Sequence, residues 1–263
     1  MDRLPDDGTN SLLTPDSIAA FPEVVAAVQG YAKSPERKEG IHLLVDVGAS
    51  TLDVTCFRLH SHDHEDVYPI FFATVQRLGG FELFHHRADV VRNLITTAID
   101  HYTQEMDGVT EPKNLLKLKF GLDEEEQLDE DRDFGNEVGT AIWRVIAETK
   151  SKKVPMAQEW VTSLPTFLCG GASGIDIYGQ ALNRIDENRN WQGSLDVKEL
   201  TLPRSVRAPG ISPALRQRLM VAYGLSFNQF DFGDLIPPSG IPEPDNTGPQ
   251  RQYTESFVSK DMV

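Results

Sequence analysis

The stretch from Leu43 to Thr55 constrains the fold more than any other part of the chain. It opens with an apolar run, Leu43–Val45, typical of a strand that is buried on both faces. Small residues follow at Gly48–Ser50, and then apolar and polar residues alternate from Leu52 to Cys56, as in a half-buried strand. The pattern predicts a β-hairpin with a small-residue tip, and Asp46 and Asp53 flank that tip.

Such a tip is suited to binding a phosphate. Without large side chains, the backbone N–H groups at Gly48 and the hydroxyls of Ser50 and Thr51 can approach a phosphate closely. Asp46, at the end of the first strand, would hold a metal-bound water beside it. Ordinary turn chemistry is the alternative, since any tight hairpin requires small and polar residues.

Composition and charge limit the classes of partner. The chain has 263 residues, 40% of them hydrophobic and 25% charged, which suffices for one large domain or two modest ones. A formal net charge of −15 opposes binding to nucleic acid or to anionic membranes, because both reward clusters of Lys and Arg. We therefore expect neither as a partner.

The chain has no apolar run long enough to span a membrane, and Met1–Asp7 lacks the features of a signal peptide. We therefore expect a cytoplasmic protein. Its two cysteines, Cys56 and Cys169, fall in predicted buried strands and are expected to be reduced core residues.

Two glycine pairs further along the chain each follow a predicted strand and precede a helix. Gly79 and Gly80 follow a predicted strand and precede a helix predicted over residues 81–105, and Gly170 and Gly171 follow a strand that ends at Cys169. Paired glycines before a helix expose its first N–H groups to an anionic ligand. A turn that requires positive φ is the alternative for Gly79 and Gly80.

Two polar stretches carry weaker signals. Residues 60–66 contain three histidines and three acids, so they predict either a zinc site or, more simply, a hydrated turn between strands. Residues 123–133 are mostly acidic and predict a solvated loop, because like charges repel. A helix is predicted directly after that loop, over residues 134–150.

Four segments in succession resemble the superfamily of actin, the sugar kinases and the seventy-kilodalton heat-shock chaperones. Glu23–Tyr31 resembles its connecting helix, E-P-x-A-A-x-x-x-Y-G, and Asp46–Val54 resembles the chaperone run D-L-G-G-G-T-F-D-V, with Ala49 and Ser50 in place of two glycines. Leu78-Gly79-Gly80 matches L-G-G before a helix, and residues 168–176 resemble the adenosine motif L-V-G-G-x-x-x-x-P, with Asp176 in place of proline.

The resemblance implies an α/β fold with a ribonuclease-H-like mixed sheet flanked by helices, as in an actin-like ATPase lobe. The core lobe would comprise residues 19–79 and 154–226, with an inserted, mainly helical subdomain over the cleft at residues 80–153. Residues 1–18 would be a polar lead-in and residues 227–263 an extended Pro-rich tail.

The resemblance also implies a site for ATP or ADP with Mg²⁺, the metal being held by Asp46 through water. Asp46 and Glu23 would serve catalysis. The phosphate-binding residues would be Gly48, Ser50, Thr51, Gly79 and Gly80. The nucleoside-binding residues would be Gly170, Gly171 and Ser173, with Arg144, Glu148 and Lys152 from the helix at 134–150.

In this superfamily the site lies between two lobes, and each lobe brings a phosphate hairpin. No second D-x-G hairpin precedes Asp46, so the resemblance implies that the chain corresponds to the second lobe, chaperone-like, with an incomplete catalytic site. The first lobe would be missing or supplied by a partner chain. The alternatives are a non-catalytic interaction module that retains the fold and, third, part of a sugar or acetate kinase.

Overall fold

The computed structural model describes residues 21–102, 129–188, 191–200, 202–203, 206–207, 209–210 and 219–242. The lead-in predicted for residues 1–18 and the last residues of the helix predicted over residues 81–105 lie outside these residues.

Six strands form one mixed sheet. They are β1 (Gly40–Val47), β2 (Leu52–His62), β3 (Glu65–Gln76), β4 (Leu164–Cys169), β5 (Leu195–Glu199) and β6 (Asp234–Ile236). Their order across the sheet is β5-β4-β1-β2-β3-β6. β1, β2 and β3 are antiparallel, β4 and β5 run parallel to β1, and β6 runs parallel to β3.

Helices cover both faces of this sheet. They are α1 (Glu23–Ala32), α2 (Gly80–Tyr102), α3 (Asp129–Lys152), α4 (Asp176–Asp186) and α5 (Met220–Gly224). Parallel strands cannot be joined by a tight turn, and helices lie between β3 and β4 and between β4 and β5. The predicted class, a ribonuclease-H-like mixed sheet flanked by helices, is confirmed. No helix in the described ranges is both long and apolar enough to cross a membrane.

The sheet separates two hydrophobic cores. Alternate residues of β1 point to opposite faces, so Leu43, Val45 and Val47 pack with α3 and α4, whereas Leu44 packs with α1. The α1 side also contains Phe57, Phe167 and Cys169. Side chains at even positions of β1, including Asp46, therefore share the α1 face.

The first helix is held close to α5 by two glycines. A Cβ at Gly30 would lie 3.0 Å from the Tyr223 ring, and one at Gly224 would overlap the Ala26 carbonyl. Because both residues lack a side chain, the backbones of α1 and α5 can approach each other. This contact fixes the position of α1, and with it Glu23, over the sheet.

Two elements differ from the sequence predictions. α3 begins at Asp129, inside the acidic stretch predicted to be a loop, because acids in a first turn suit the helix dipole and Asp131 forms two hydrogen bonds of 2.8–2.9 Å with Arg87 of α2. β6 lies in the segment predicted to be an extended tail, where it pairs with Val67–Pro69 of β3.

The histidine-rich stretch forms the β2–β3 turn. Asp63 and His64 have φ of 50° and 70°, as a two-residue hairpin loop requires, and the flanking His62 and Glu65 pair across the strands. Asp66 is buried and bonds to Lys33 and Arg37. Of the two alternatives, the turn is the one that this geometry supports.

Candidate functional site

The tip of the β1–β2 hairpin is a four-residue loop. Val47 and Leu52 form the last strand pair, and the Gly48 amide donates to the Thr51 carbonyl at 2.8 Å. Ala49 and Ser50 are exposed, whereas Thr51 is half-buried. The tip therefore projects beyond the end of the sheet while remaining closed by its own hydrogen bond.

The start of α2 docks directly onto this tip. The amides of Gly79, Gly80 and Phe81 donate to the carbonyls of Ser50, Gly48 and Ala49, at 3.2, 3.1 and 2.6 Å. The first N–H groups of a helix have no partner within the helix, and here the hairpin supplies their acceptors. The amides of Gly79 and Gly80 are thus bonded to the hairpin in this structure and do not face a ligand.

The tip's own amides are different. In the described part of the chain, the N–H groups of Ala49, Ser50 and Thr51 donate to no backbone or side-chain acceptor. The α2 amides bond to carbonyls of the tip and leave these N–H groups available. The hairpin tip is therefore the segment of this cluster with unused donors.

Close packing explains the Gly79-Gly80 pair. A Cβ at Gly79 would lie 2.5 Å from the Ser50 carbonyl carbon, and one at Gly80 would lie 2.6 Å from the Ala172 Cβ. Neither glycine has a positive φ. The pair permits the approach of α2 to the hairpin, which is neither of the two interpretations drawn from the sequence.

The loop from β4 to α4 forms the third side of the cluster. Gly170 has φ of 94°, and a Cβ there would lie 2.2 Å from Asp46 Oδ1. The Ala172 amide donates to the Val47 carbonyl at 3.0 Å, and the Ser173 hydroxyl donates to the Gly170 carbonyl at 2.8 Å. The structure therefore brings Gly170, Gly171 and Ser173 next to the end of β1.

Asp46 lies in an electrostatically unfavourable position. Burial, together with the negative charges of Glu23 and Asp53, raises its pKa to about 6, and the neighbouring Cys169 thiol acts in the opposite direction. Glu23 reaches this point from the first turn of α1, and Asp53 is the cross-strand partner of Asp46. Thr51 Oγ1 donates to Asp53 Oδ2 at 2.8 Å.

Within the described ranges, no three His, Cys, Asp or Glu side chains are arranged to hold a metal ion. A positive charge near Asp46 would nevertheless relieve its repulsion by Glu23 and Asp53. The side chains that would face such an ion through water are Asp46 and Glu23.

The predicted residues on α3 do not join this cluster. Arg144 is exposed, and Glu148 pairs with Lys152 one turn away at 2.5 Å. The next residue, Lys153, donates to the Ile241 carbonyl near β6, which pairs with the start of β3. The hairpin tip adjoins the other end of β3, where Gln76 pairs with Leu52, so Glu148 and Lys152 lie towards the opposite end of the sheet.

Two residues of the site were missed as candidates. Asp53 closes the D-x-G-x-x-x-x-D pattern that begins at Asp46, so the sequence itself indicated that this carboxylate lies beside the tip. Cys169 contacts Asp46 because β1 and β4 pair in parallel with these two residues in register. Nothing in the sequence specifies that register.

No protein-family model and no curated protein matches this chain. Among solved structures it is similar to a ParM filament from Clostridium botulinum (TM-score 0.40, 15% identity, 82% of this chain and 55% of that one). It is also similar to the ethanolamine utilization protein EutJ from Carboxydothermus hydrogenoformans (0.34, 14%, 78% and 55%) and to the PilM–PilN type IV pilus biogenesis complex (0.40, 13%, 79% and 52%). This chain thus spans about half the length of each, and similarity at this level carries no argument about activity.

Proposed function

We propose that this chain binds the phosphates of ATP or ADP, together with Mg²⁺, at the hairpin tip Gly48–Thr51, as the second lobe of an actin-like or chaperone-like ATPase. The observation that carries the proposal is the set of unused N–H groups at Ala49, Ser50 and Thr51, next to the half-buried Asp46. Backbone N–H groups at a tight turn form a concave donor set that suits an anion.

The tip is held in place before any ligand arrives. Its carbonyls accept three hydrogen bonds from the start of α2, so the peptide planes cannot rotate without breaking them. A donor set fixed in this way loses little conformational entropy when an anion binds. Gly79 and Gly80 then serve phosphate binding indirectly, by holding the tip.

The β4–α4 loop is the candidate nucleoside side. Gly170 approaches the end of β1 closely, and Gly171 and Gly174 are exposed. A flat group can approach a backbone that carries no side chains. We therefore assign Gly170, Gly171 and Ser173 to the nucleoside side and leave Arg144, Glu148 and Lys152 out of it.

The metal-facing residues are Asp46 and Glu23. Bound Mg²⁺ supplies positive charge that neutralises phosphate oxygens. Asp46 and Glu23 would orient water molecules near the tip, with Asp53 fixing Thr51 beside them. Phosphoryl transfer needs donors from several sides, so this lobe alone is expected to bind nucleotide and to hydrolyse it poorly.

A second candidate is a non-catalytic interaction module. Val75, Phe81 and Phe84 are 63%, 54% and 56% exposed, and they lie at the end of β3 and the start of α2, beside the tip. Exposed apolar groups of this size favour burial against a partner. A first lobe on another chain would both complete the nucleotide site and cover these apolar side chains, so it is compatible with both candidates.

Calorimetric titration with ATP and with ADP, each with and without magnesium, tests the proposal. Ser50→Glu places a negative charge at the exposed tip, and Ser50→Gln is the matched control of the same size without the charge. We expect magnesium-dependent binding by the wild type, weakened about tenfold or more by Ser50→Glu because of repulsion at short range. Ser50→Gln should retain most of the affinity.

Two results would count against the proposal. A folded wild-type chain that binds neither nucleotide would leave the interaction module as the better candidate. Equal affinities for the two Ser50 variants would place the nucleotide elsewhere.

A further inference from the structure

The Phe230 ring lies almost entirely in solvent. It is 83% exposed and belongs to a short helical turn, Gln229–Asp231, between α5 and β6. Leu225 and Leu235, which precede and follow this turn, are 51% and 37% exposed. The segment Leu225–Leu235 therefore presents three apolar side chains to solvent, although a chain of this size has two cores that could bury them.

The backbone at Phe230 is fixed by hydrogen bonds. The Asn228 side chain accepts from the Phe230 amide at 3.1 Å, and the Asp231 carboxylate accepts from the Asn228 amide at 3.2 Å. Together they form a capping box. The Asp231 carbonyl accepts a further bond at 2.8 Å from the side chain of Gln29, which is fully buried in α1. The turn is thus tied both to itself and to the core.

The residues after the turn hold it from the other side. Phe232 is buried, and its ring stacks on Phe21 with centroids 4.1 Å apart. Gly233 has φ of 69°, and a Cβ there would overlap the Asp66 carbonyl oxygen. Because Phe232 occupies the core, Phe230 cannot turn inward without breaking these contacts. A ring held in solvent in this way loses little conformational entropy when it enters a pocket on another molecule.

Negative charge accompanies these apolar side chains. Asp231 and Asp234 are exposed, and neither forms an ion pair with another described residue. The ends of the chain are themselves acidic, with four acids and one basic residue in 1–20 and four acids and two basic residues in 243–263. A second copy carries the same net charge of −15. Repulsion therefore disfavours these occupants, and a basic partner is the complement.

We propose that the Leu225–Leu235 segment is a docking surface for a protein partner whose apolar pocket takes up the Phe230 ring and whose Lys or Arg side chains face Asp231 and Asp234. Aromatic side chains that fill a pocket carry much of the binding energy of protein interfaces. β6 pairs with Val67–Pro69, at the end of β3 away from the hairpin tip, so binding here does not depend on nucleotide.

Fluorine NMR of the full chain tests whether the ring is free. With para-fluorophenylalanine in place of Phe230, an exposed ring shows a solvent isotope shift between water and heavy water, and a covered ring does not. We expect the full shift at low and at high protein concentration. A ring covered at every concentration would be bound by a segment of this chain, and one covered only at high concentration by a second copy. Either result would overturn the proposal.

Selection of a phage-displayed library of disulfide-constrained random peptides on the wild-type chain tests the chemistry of the partner. We expect most selected peptides to combine apolar residues with Lys or Arg. Phe230→Ala should weaken their binding about tenfold or more, because it removes the central anchor. Asp234→Asn should weaken it about threefold, since a charge at the border of an interface contributes less.

Two exposed residues elsewhere provide matched controls, and Met156→Ala and Asp63→Asn should leave peptide binding unchanged. The free energy of unfolding of Phe230→Ala should equal that of the wild type, so that weakened binding reports the surface and not the fold. Peptides that bind Phe230→Ala as well as the wild type, or that contain no basic residue, would show that this segment is not a docking surface of the kind proposed.

Discussion

His42 and Asp46 lie on the same face of β1, four residues apart, and burial lowers the pKa of His42 but raises that of Asp46. The His42 ring stacks on Phe57 and Phe167 with centroids 5.4 and 5.8 Å away. Its Nδ1 donates to the Gly40 carbonyl at 2.9 Å, and its Nε2 accepts from the Tyr31 hydroxyl at 3.3 Å. The neutral ring thus has both of its hydrogen bonds, and burial lowers its pKa to about 4.

At Asp46 the surroundings do not match the group. Burial, together with the negative charges of two further acids, raises its pKa to about 6. Only Cys169 acts in its favour. A buried polar group with complementary neighbours is a structural residue, whereas one left in conflict with its neighbours marks a functional site more often. The comparison locates the candidate site at one end of β1.

The largest expected effect is that of Gly170→Ala. Its methyl group would collide with Asp46 and Val47, and φ of 94° is strained for any L-residue. We expect a loss of about 4 kcal/mol in the free energy of unfolding, measured by urea denaturation. Gly174→Ala in the same loop, where a Cβ meets nothing within 4 Å, is the control. Equal losses for both would show that loop entropy, and not contact with Asp46, governs this end of the strand.

Acidification should destabilise the protein through His42. Its folded pKa of about 4 lies below the usual 6.5, so between these pH values the unfolded chain binds a proton at His42 and the folded chain does not. Stability is therefore lost as the pH falls from 6.5 towards 4, by about 3 kcal/mol in total. NMR titration of the His42 ring checks this directly, and a midpoint near 6.5 would contradict it.

Asp46 should act in the opposite direction. Its folded pKa of about 6 lies above its usual 3.8, so the folded chain binds the proton first and gains stability as the pH falls from 6 to 4. Asp46→Asn removes this term. We expect it to raise the free energy of unfolding at pH 7 by up to about 3 kcal/mol, with the gain vanishing near pH 4. Denaturation at both pH values measures this, and a gain independent of pH would refute it.

The smallest expected effect is that of Tyr31→Phe. It removes the hydroxyl that donates to His42 and accepts from the Lys38 amide at 2.8 Å. We expect a loss of about 1 kcal/mol in the free energy of unfolding, since the ring packing on Phe167 remains. Tyr223→Phe, on the neighbouring α5, is a suitable control, and a larger loss there would contradict the role assigned to Tyr31.

The sequence was sufficient where local patterns specify the structure. Alternation and small residues predicted the β1–β2 hairpin, and helical spacing predicted α2 and α3. It failed where tertiary contacts decide. Asp131 is helical because Arg87 is nearby, and Gly79 packs on a hairpin that lies about 30 residues earlier in the chain.

The same limit applies to the site. Asp46 and its tip could be singled out because the strand and its turn are contiguous. The positions of Glu148 and Lys152 depend on how α3 lies across the sheet, and the position of Cys169 beside Asp46 depends on the β1–β4 register. Both are set by packing of the whole core, for which the sequence has no local signal.

The three bonds between the hairpin tip and α2 also have a mechanical consequence. Gly79, Gly80 and Phe81 tie the tip to the first turn of a 23-residue helix, so tip and helix move as one body. Such a helix is about 34 Å long, and a tilt of roughly 5° at its start displaces its far end by about 3 Å. Any small rotation of the tip is therefore magnified at the end of α2.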